Sequence, residues 1–315
     1  MSETNQTQNQ FTNERLKEMQ SWDLDRKIAT SLTRIAEFAN HFNNQVYVSF
    51  SGGKDSTVLL HIVRQAYPDV PAVFVDTGLE FPEIKEFALS QKNTTRLRTE
   101  MSFRKVIETY GYPVISKSVS RAVHDVKKLG NNCWAARAFD GRETGLYNYL
   151  KYKYLIDSPF LISDKCCNIM KKKPLKKYEK ETGRMPLIGT MATDSQARKM
   201  AWLKTGCNAF DSKNPKSQPM SFWTEQDVLQ YIKQNNLPYA SVYGNIIEDK
   251  NGKLKTTGCD RTGCVFCMFG CYQDKDRFQR LKQTHPKLWE YCMKDWDSGG
   301  LGMKNVLDYI NVKTG

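Results

Sequence analysis

Long apolar runs are missing from this 315-residue chain. No stretch approaches the roughly 18 consecutive apolar residues of a membrane-crossing helix, so no membrane association by a helical span is expected. The opening "MSETNQTQNQFTNE" lacks the basic-then-apolar order of a secretory leader, and a cytoplasmic location is the expectation. No internal repeat of fixed period is present, which argues against solenoids and propellers. Acidic side chains are in short supply, 34 against 47 Lys and Arg, for a net charge of +13. The imbalance is local: residues 96–184 hold 20 basic and 9 acidic side chains, so +11 of the +13 falls in the middle of the chain. Such an excess fits an anionic partner such as nucleic acid or a nucleotide, or else a solvated lysine-rich face.

Nine cysteines are present. Without a leader they are expected to stay reduced, which points to metal binding or sulfur chemistry rather than disulfides. Cys166 and Cys167 are adjacent, and Cys259, Cys264, Cys267 and Cys271 fall within thirteen residues.

The pattern along the chain predicts an α/β fold. Residues 14–42 place Leu16, Met19, Ile28, Leu32, Ile35 and Phe38 at near-helical spacing, following a polar start expected to be disordered. "QVYVSF" is expected to be a buried strand, with a helix from Ser56 to Tyr67. A second strand is expected at Ala72–Val75 with a helix opening at Pro82, a third in "TTRLRTE" with a helix after Ser102, and another near Leu187–Thr190 with a helix from about Asp194. Strands alternating with helices imply a parallel sheet covered on both faces, with ligands at the carboxyl ends of the strands. Thr224 is the expected N-cap of a further helix. The organisation expected is a helical segment at 1–44, a nucleotide-binding domain at 45–240 carrying a basic insertion at about 113–160, and a cysteine-rich, partly helical region at 241–315. Aromatic residues Trp134, Tyr147, Tyr149, Tyr152 and Tyr154 interleave with the insertion's cations and suit either a core or a base-stacking surface.

Between the first strand and its helix stands "SGGKDS", residues 51–56. A strand-to-helix loop offers free backbone N–H groups at the positive end of a helix dipole, which is an anion site. Gly52 and Gly53 let the backbone approach, Ser51 and Ser56 add hydroxyls, and Lys54 adds a mobile charge. The spacing matches neither the Walker A loop nor the G-x-G-x-x-G fingerprint.

The hexad resembles the pyrophosphate loop of the PP-loop ATP pyrophosphatase superfamily. "DTGLEFPE" at 76–83 and "CCNIMKKKPLKKY" at 166–178 resemble segments of its phosphoadenylyl-sulfate reductase family, closest to the iron-sulfur branch that includes adenylyl-sulfate reductases and DNA phosphorothioation enzymes. The resemblance implies a Rossmann-like, adenine nucleotide alpha-hydrolase-like sheet and an adenine nucleotide such as ATP, with Mg2+ placed by Asp55 or Asp76. It implies a nucleotide set of Ser49, Ser51, Gly52, Gly53, Lys54, Asp55, Ser56, Asp76, Thr77, Gly189, Ser195 and Arg198. Lys54, Asp55 and Cys207 are the candidate catalytic residues. It also implies that Cys166 and Cys167 join Cys264 and Cys267 around a [4Fe-4S] cluster. Spacing alone nominates a rival set, Cys259, Cys264, Cys267 and Cys271, able to hold a cluster or Zn2+.

The chain departs from the reductases in two places. The tail "DSGGLGMKNVLDYINVKTG" carries no cysteine where they place a nucleophile, and "GTMATDS" puts Met191 where they place an anion-binding arginine. A lost charge-assisted contact of that kind is worth about 1.5–3 kcal/mol. The expectation is therefore an ATP-using sulfurtransferase acting on nucleic acid with a sulfur or electron donor protein. The alternatives are a sulfonucleotide reductase, or a non-catalytic iron-sulfur module that binds nucleic acid.

Overall fold

The computed structural model describes residues 11–141, 148–271 and 274–314. The polar start at 1–10 and Tyr147 lie outside the described residues. The chain forms two compact units, each assembled from separated segments: residues 1–76, 81–97 and 175–262 in the first, 77–80, 98–174 and 263–315 in the second.

The first unit is built on a sheet. Its elements include α1 (Asn13–Gln20), α2 (Leu24–His41), β1 (Val46–Ser49), α3 (Lys54–Ala66), β2 (Ala72–Asp76), α4 (Pro82–Ser90), β3 (Thr94–Arg98), β5 (Met185–Ile188), α8 (Gln196–Thr205), β6 (Asn208–Ala209), β7 (Lys216–Ser217), α9 (Glu225–Gln234), β8 (Ile246–Glu248) and β9 (Leu254–Thr256). The six-stranded order is β3-β2-β1-β5-β7-β6. β1 runs parallel to both β2 and β5, and β5 parallel to β7, while β6 returns antiparallel to β7. The sheet is thus mostly parallel. From β1 the chain builds outward through β2 and β3 on one side and later returns to place β5 on the other, so the chain leaving β1 emerges at a topological switch point, where α/β sheets bind ligands.

Packing fixes that position. α3 buries Val58, Leu59, Leu60, Ile62 and Val63 in a core shared with Val46, Val48, Ala72, Phe74 and Leu187 of the sheet, at about 1.5–3 kcal/mol for each fully buried large side chain. α2 is tied to α9 by Lys27 Nζ, which donates to Asp227 Oδ2 at 2.7 Å and to the Gln20 carbonyl at 2.8 Å. Lys27 is 1% exposed, and Asp227 Oδ2 also accepts from Thr224 N–H and Oγ1, closing the capping box of α9.

The second unit contains α5 (Phe103–Tyr110), β4 (Val114–Ile115), α6 (Lys117–Leu129), β10 (Met268–Phe269), α10 (Arg277–Thr284), α11 (Pro286–Met293) and α12 (Met303–Tyr309). α7 (Lys173–Thr182) begins at its last residues. β4 pairs with β10 in parallel. Two 3-10 helices, Trp134–Phe139 and Leu150–Asp157, follow α6. Among the described residues no helix is long and apolar enough to cross a membrane.

Candidate functional site

The phosphate-type loop has the local geometry its sequence demands. Gly52 sits at φ +74°, and a Cβ there would lie 2.8 Å from the Ile84 carbonyl and 3.2 Å from Ala88 Cβ, so no other residue fits without displacing α4. Gly53 is the N-cap of α3, and its N–H donates to Ser51 Oγ at 3.3 Å. Ser56 Oγ stands 3.0 Å from Ser51 Oγ and donates to the Gly53 carbonyl at 2.9 Å. Past β5, Gly189 passes so close to the start of α3 that a Cβ would be 3.0 Å from the Asp55 carbonyl. Ser49 ends β1 immediately before the loop.

Lys54 is 5% exposed, and its ammonium is shared by the Asp260 carbonyl at 2.5 Å and Glu225 Oε1 at 2.8 Å. Its backbone N–H donates to Tyr243 Oη at 3.3 Å, and the ammonium sits 5.3 Å from the Tyr243 ring centroid. Asp260 and Tyr243 therefore belong to this site; the turn-rich text around Asp260 marked a loop but not its place beside Lys54. Asp55 Oδ1 is buried without a hydrogen-bond partner. Burial first, then the neighbouring Asp194 and Glu225 carboxylates, push the Asp55 carboxyl up to about 6, against the pull of Lys54 and Arg261.

Other predicted residues of this unit have partners of their own. Asp76 Oδ2 takes Arg96 and, at 3.0 Å, Lys85, and these cations hold its carboxyl below the usual range despite the opposing effect of burial. Ser195 caps α8 by accepting from Arg198 N–H at 3.3 Å, and the Arg198 guanidinium pairs with Asp194. Asp194 Oδ1 also takes Arg261 at 3.3 Å. Met191 is buried in the core. Cys207 is packed as a small core hydrophobe, its sulfur 3.3 Å from Ser221 Oγ, and burial pushes its thiol up; a protonated, enclosed thiol is a poor nucleophile.

In the second unit, Thr77 Oγ1 donates to Glu80 Oε1 at 2.7 Å and its N–H to Oε2 at 3.0 Å, a closed turn. Val265 N–H donates to the Leu79 carbonyl at 2.7 Å, which fastens the G-C-x-x-C segment to that turn. A π-helical turn, Asn168–Lys172, follows the double cysteine. Cys166 and Cys167 sulfurs are 4.0 Å apart, and that hydrogen bond drives Cys166 up and brings Cys167 down to about 6, with Lys117 and Lys171 also favouring the Cys167 thiolate. Cys166 also feels Cys267 and Cys264. Burial, with Cys264 adding to it, pushes Cys267 up to about 11, and burial raises Cys264 while Lys171 opposes. Burial pulls Lys171 down, but Cys264 and Glu80 outweigh it and keep the ammonium charged. Cys271 Sγ points to the Cys267 carbonyl at 3.8 Å.

The four thiols nominated by resemblance are thus brought within one another's electrostatic reach, with Lys117, Lys171 and Arg277 beside them to offset thiolate charge. That donor set suits a thiolate-bound centre, an iron-sulfur cluster or Zn2+. Among the described residues, no three His, Cys, Asp or Glu side chains are already arranged to hold a metal ion. The rival spacing set is divided between units. Cys259 belongs to the first, its N–H bonded to the Val242 carbonyl at 3.0 Å, and Cys264, Cys267 and Cys271 belong to the second.

Residues 45–131 and 149–269 match the phosphoadenosine phosphosulfate reductase domain. An uncharacterized protein of Methanocaldococcus jannaschii is 24% identical over 274 residues, 84% of this chain and 51% of the relative, so the chain spans about half the length of that protein. A phosphoadenosine 5'-phosphosulfate reductase of Xanthomonas axonopodis pv. citri is 25% identical over 207 residues, 65% of this chain and 69% of the relative. Among solved structures, the U34-tRNA thiolase NcsA of Methanococcus maripaludis with its [4Fe-4S] cluster aligns with a TM-score of 0.41 at 15% identity, covering 91% of this chain and 81% of that one.

Proposed function

The chain belongs to the phosphoadenosine phosphosulfate reductase domain family, and on that premise we propose that it is an enzyme that binds ATP at residues 51–56 and replaces an oxygen of a nucleic acid with sulfur. The loop N–H groups, the start of α3 and Lys54 hold the phosphates. Asp55 Oδ1, beside Asp194 and Glu225, is the oxygen available to the Mg2+ that accompanies the nucleotide. An acceptor oxygen attacks the α-phosphorus, the bond to the β-phosphate breaks, and pyrophosphate leaves with the electron pair. The persulfide of a donor protein then attacks the activated centre and displaces AMP, which departs with the former acceptor oxygen and the electron pair; a dithiol electron donor reduces the resulting disulfide by two electrons, freeing the thiolated product and the donor's thiol. A cluster held by Cys166, Cys167, Cys264 and Cys267 would supply an iron at which sulfide can be kept.

The observation that carries this reading over sulfonucleotide reduction is the condition of three of the spare thiols, Cys207, Cys271 and Cys292; Cys133 and Cys259 are half-buried. Reduction needs a cysteine thiolate that attacks the substrate sulfur. Cys207, Cys271 and Cys292 are all buried, and burial pushes Cys271 and Cys292 up to about 12 and Cys207 up as well. A thiol so placed is almost wholly protonated at neutral pH. The test is product analysis: anaerobic protein with ATP and bulk transfer RNA is expected to form AMP and pyrophosphate in equal amounts. Sulfite release from adenylyl sulfate, with ATP left intact, would contradict it.

A further inference from the structure

Among the described aromatic residues of the insertion, Tyr149 and Tyr154 are engaged in packing. Tyr149 donates its N–H to the Ala138 carbonyl at 2.7 Å and lays its ring 5.8 Å from Phe139, which joins the two 3-10 helices. Tyr154 rests against Tyr309 at 5.7 Å. Trp134 is different: it opens the first 3-10 helix with 60% of its surface in solvent, and Leu129, at the end of α6, is 61% exposed. They lie on two elements that pack against each other, so one region of the second unit leaves two large apolar side chains open to solvent.

The cations decide what kind of partner this region suits. Within 117–141 and 148–173 the chain holds 11 basic and 4 acidic residues. Two of the acids, Asp125 and Asp140, already face Arg121 and Lys153 at 3.8 Å each. Lys128, Arg137 and Lys151 are exposed on the three packed elements that carry Trp134, with the Lys151 ammonium 4.9 Å from the Tyr152 ring centroid. Protein interfaces are depleted of lysine, whereas surfaces for unpaired nucleic acid combine cations that follow the backbone with aromatic faces on which bases stack. A duplex hides its base faces, so an open indole favours a single strand.

We propose that the surface formed by the end of α6 and the two 3-10 helices binds single-stranded nucleic acid, with a base stacked on Trp134 and phosphates met by Lys128, Arg137 and Lys151. This deepens the nucleic-acid part of the function proposed above and rests on it. The test is fluorescence anisotropy of the full chain with a labelled mixed-sequence single-stranded RNA, the matching DNA and the RNA duplex, at several salt concentrations. Trp134→Ala is expected to weaken single-strand binding about 5- to 150-fold, and Trp134→Phe to keep most of it. Lys128→Ala and Lys151→Ala are each expected to reduce the salt slope by about 0.7. Both Trp134 variants should melt with the wild type, since the side chain is mostly in water. If wild type binds the strand and Trp134→Ala binds it equally, the surface is wrong while the nucleic-acid reading stands. If wild type binds no strand, both fall. Trp134-dependent capture of a protein with unchanged anisotropy, or duplex binding as tight and as Trp134-dependent as the single strand's, would also overturn it.

Discussion

Replacing Glu225 with Gln should tighten nucleotide binding, and replacing Lys54 with Met should loosen it. The Lys54 ammonium lies 2.8 Å from Glu225 Oε1 and 2.5 Å from the Asp260 carbonyl, so a phosphate that takes the ammonium competes with that carboxylate. The Glu225 side chain is 47% exposed, which limits the pair to about 0.2–1 kcal/mol and the gain from Glu225→Gln to about 1.4- to 5-fold. Lys54 to phosphate is a charge-assisted contact in a buried setting, worth about 1.5–3 kcal/mol, so Lys54→Met should cost about 10- to 150-fold. Glu225 also sits in the first turn of α9, where its charge favours the helix by about 0.3–1 kcal/mol, so Glu225→Gln should melt slightly lower while binding more tightly. Calorimetric titration with a non-hydrolysable ATP analogue reads both variants. Weaker binding by Glu225→Gln, or unchanged binding by Lys54→Met, would refute the placement of phosphate at this ammonium.

Gly52→Ala should lose nucleotide binding and lower the melting temperature, because φ +74° costs about 1–2 kcal/mol for an L-residue and the new Cβ would meet the Ile84 carbonyl at 2.8 Å; thermal melts with and without nucleotide check this. Asp227→Asn should destabilise by about 3–5 kcal/mol in denaturant titration, since it strands the buried Lys27 ammonium, and an unchanged midpoint would contradict the pair's burial. Asp55 has its folded pKa raised, so the protein binds more protons than the unfolded chain between about pH 4 and 6, and stability falls with rising pH across that window. Asp55→Asn should therefore match wild type below pH 4 and melt higher above pH 6, a gap on the order of 2–3 kcal/mol. After anaerobic iron and sulfide loading, Cys166→Ser should lose iron and broad visible absorption while Cys259→Ser keeps both; the reverse result would favour the spacing set.

Local signals in the sequence carried most of the first unit. The apolar run at 46–50, the glycine pair, Pro82 at the start of α4 and Thr224 at the N-cap of α9 each act within a few residues, so the chain spells them out directly, as does Ser102 at the N-cap of α5 in the second unit. The α3 start at Lys54 rather than Ser56 and the β5 span of Met185–Ile188 differ from expectation only at their ends, where pairing with β1 sets the limits. The return of β6 antiparallel to β7 had no local signal, being only two residues long. What the sequence could not reveal were contacts across long separations. Asp260 and Tyr243 reach Lys54 over about two hundred residues, and their role in the site follows from folding alone. Cys207 illustrates the converse, because a cysteine in "TGCNAF" reads as available chemistry until the core closes over it. The insertion's aromatics were equally ambiguous, and burial separated Trp134 from its neighbours.

The most direct measurement is the fate of oxygen when ATP and bulk transfer RNA are incubated with the protein in heavy-oxygen water. Transfer to a nucleic-acid oxygen predicts AMP and pyrophosphate that both carry ordinary oxygen, because the new oxygen in AMP comes from the acceptor. Solvent oxygen in either product would mean that water attacks ATP, and the account of an acceptor-directed adenylation would be wrong.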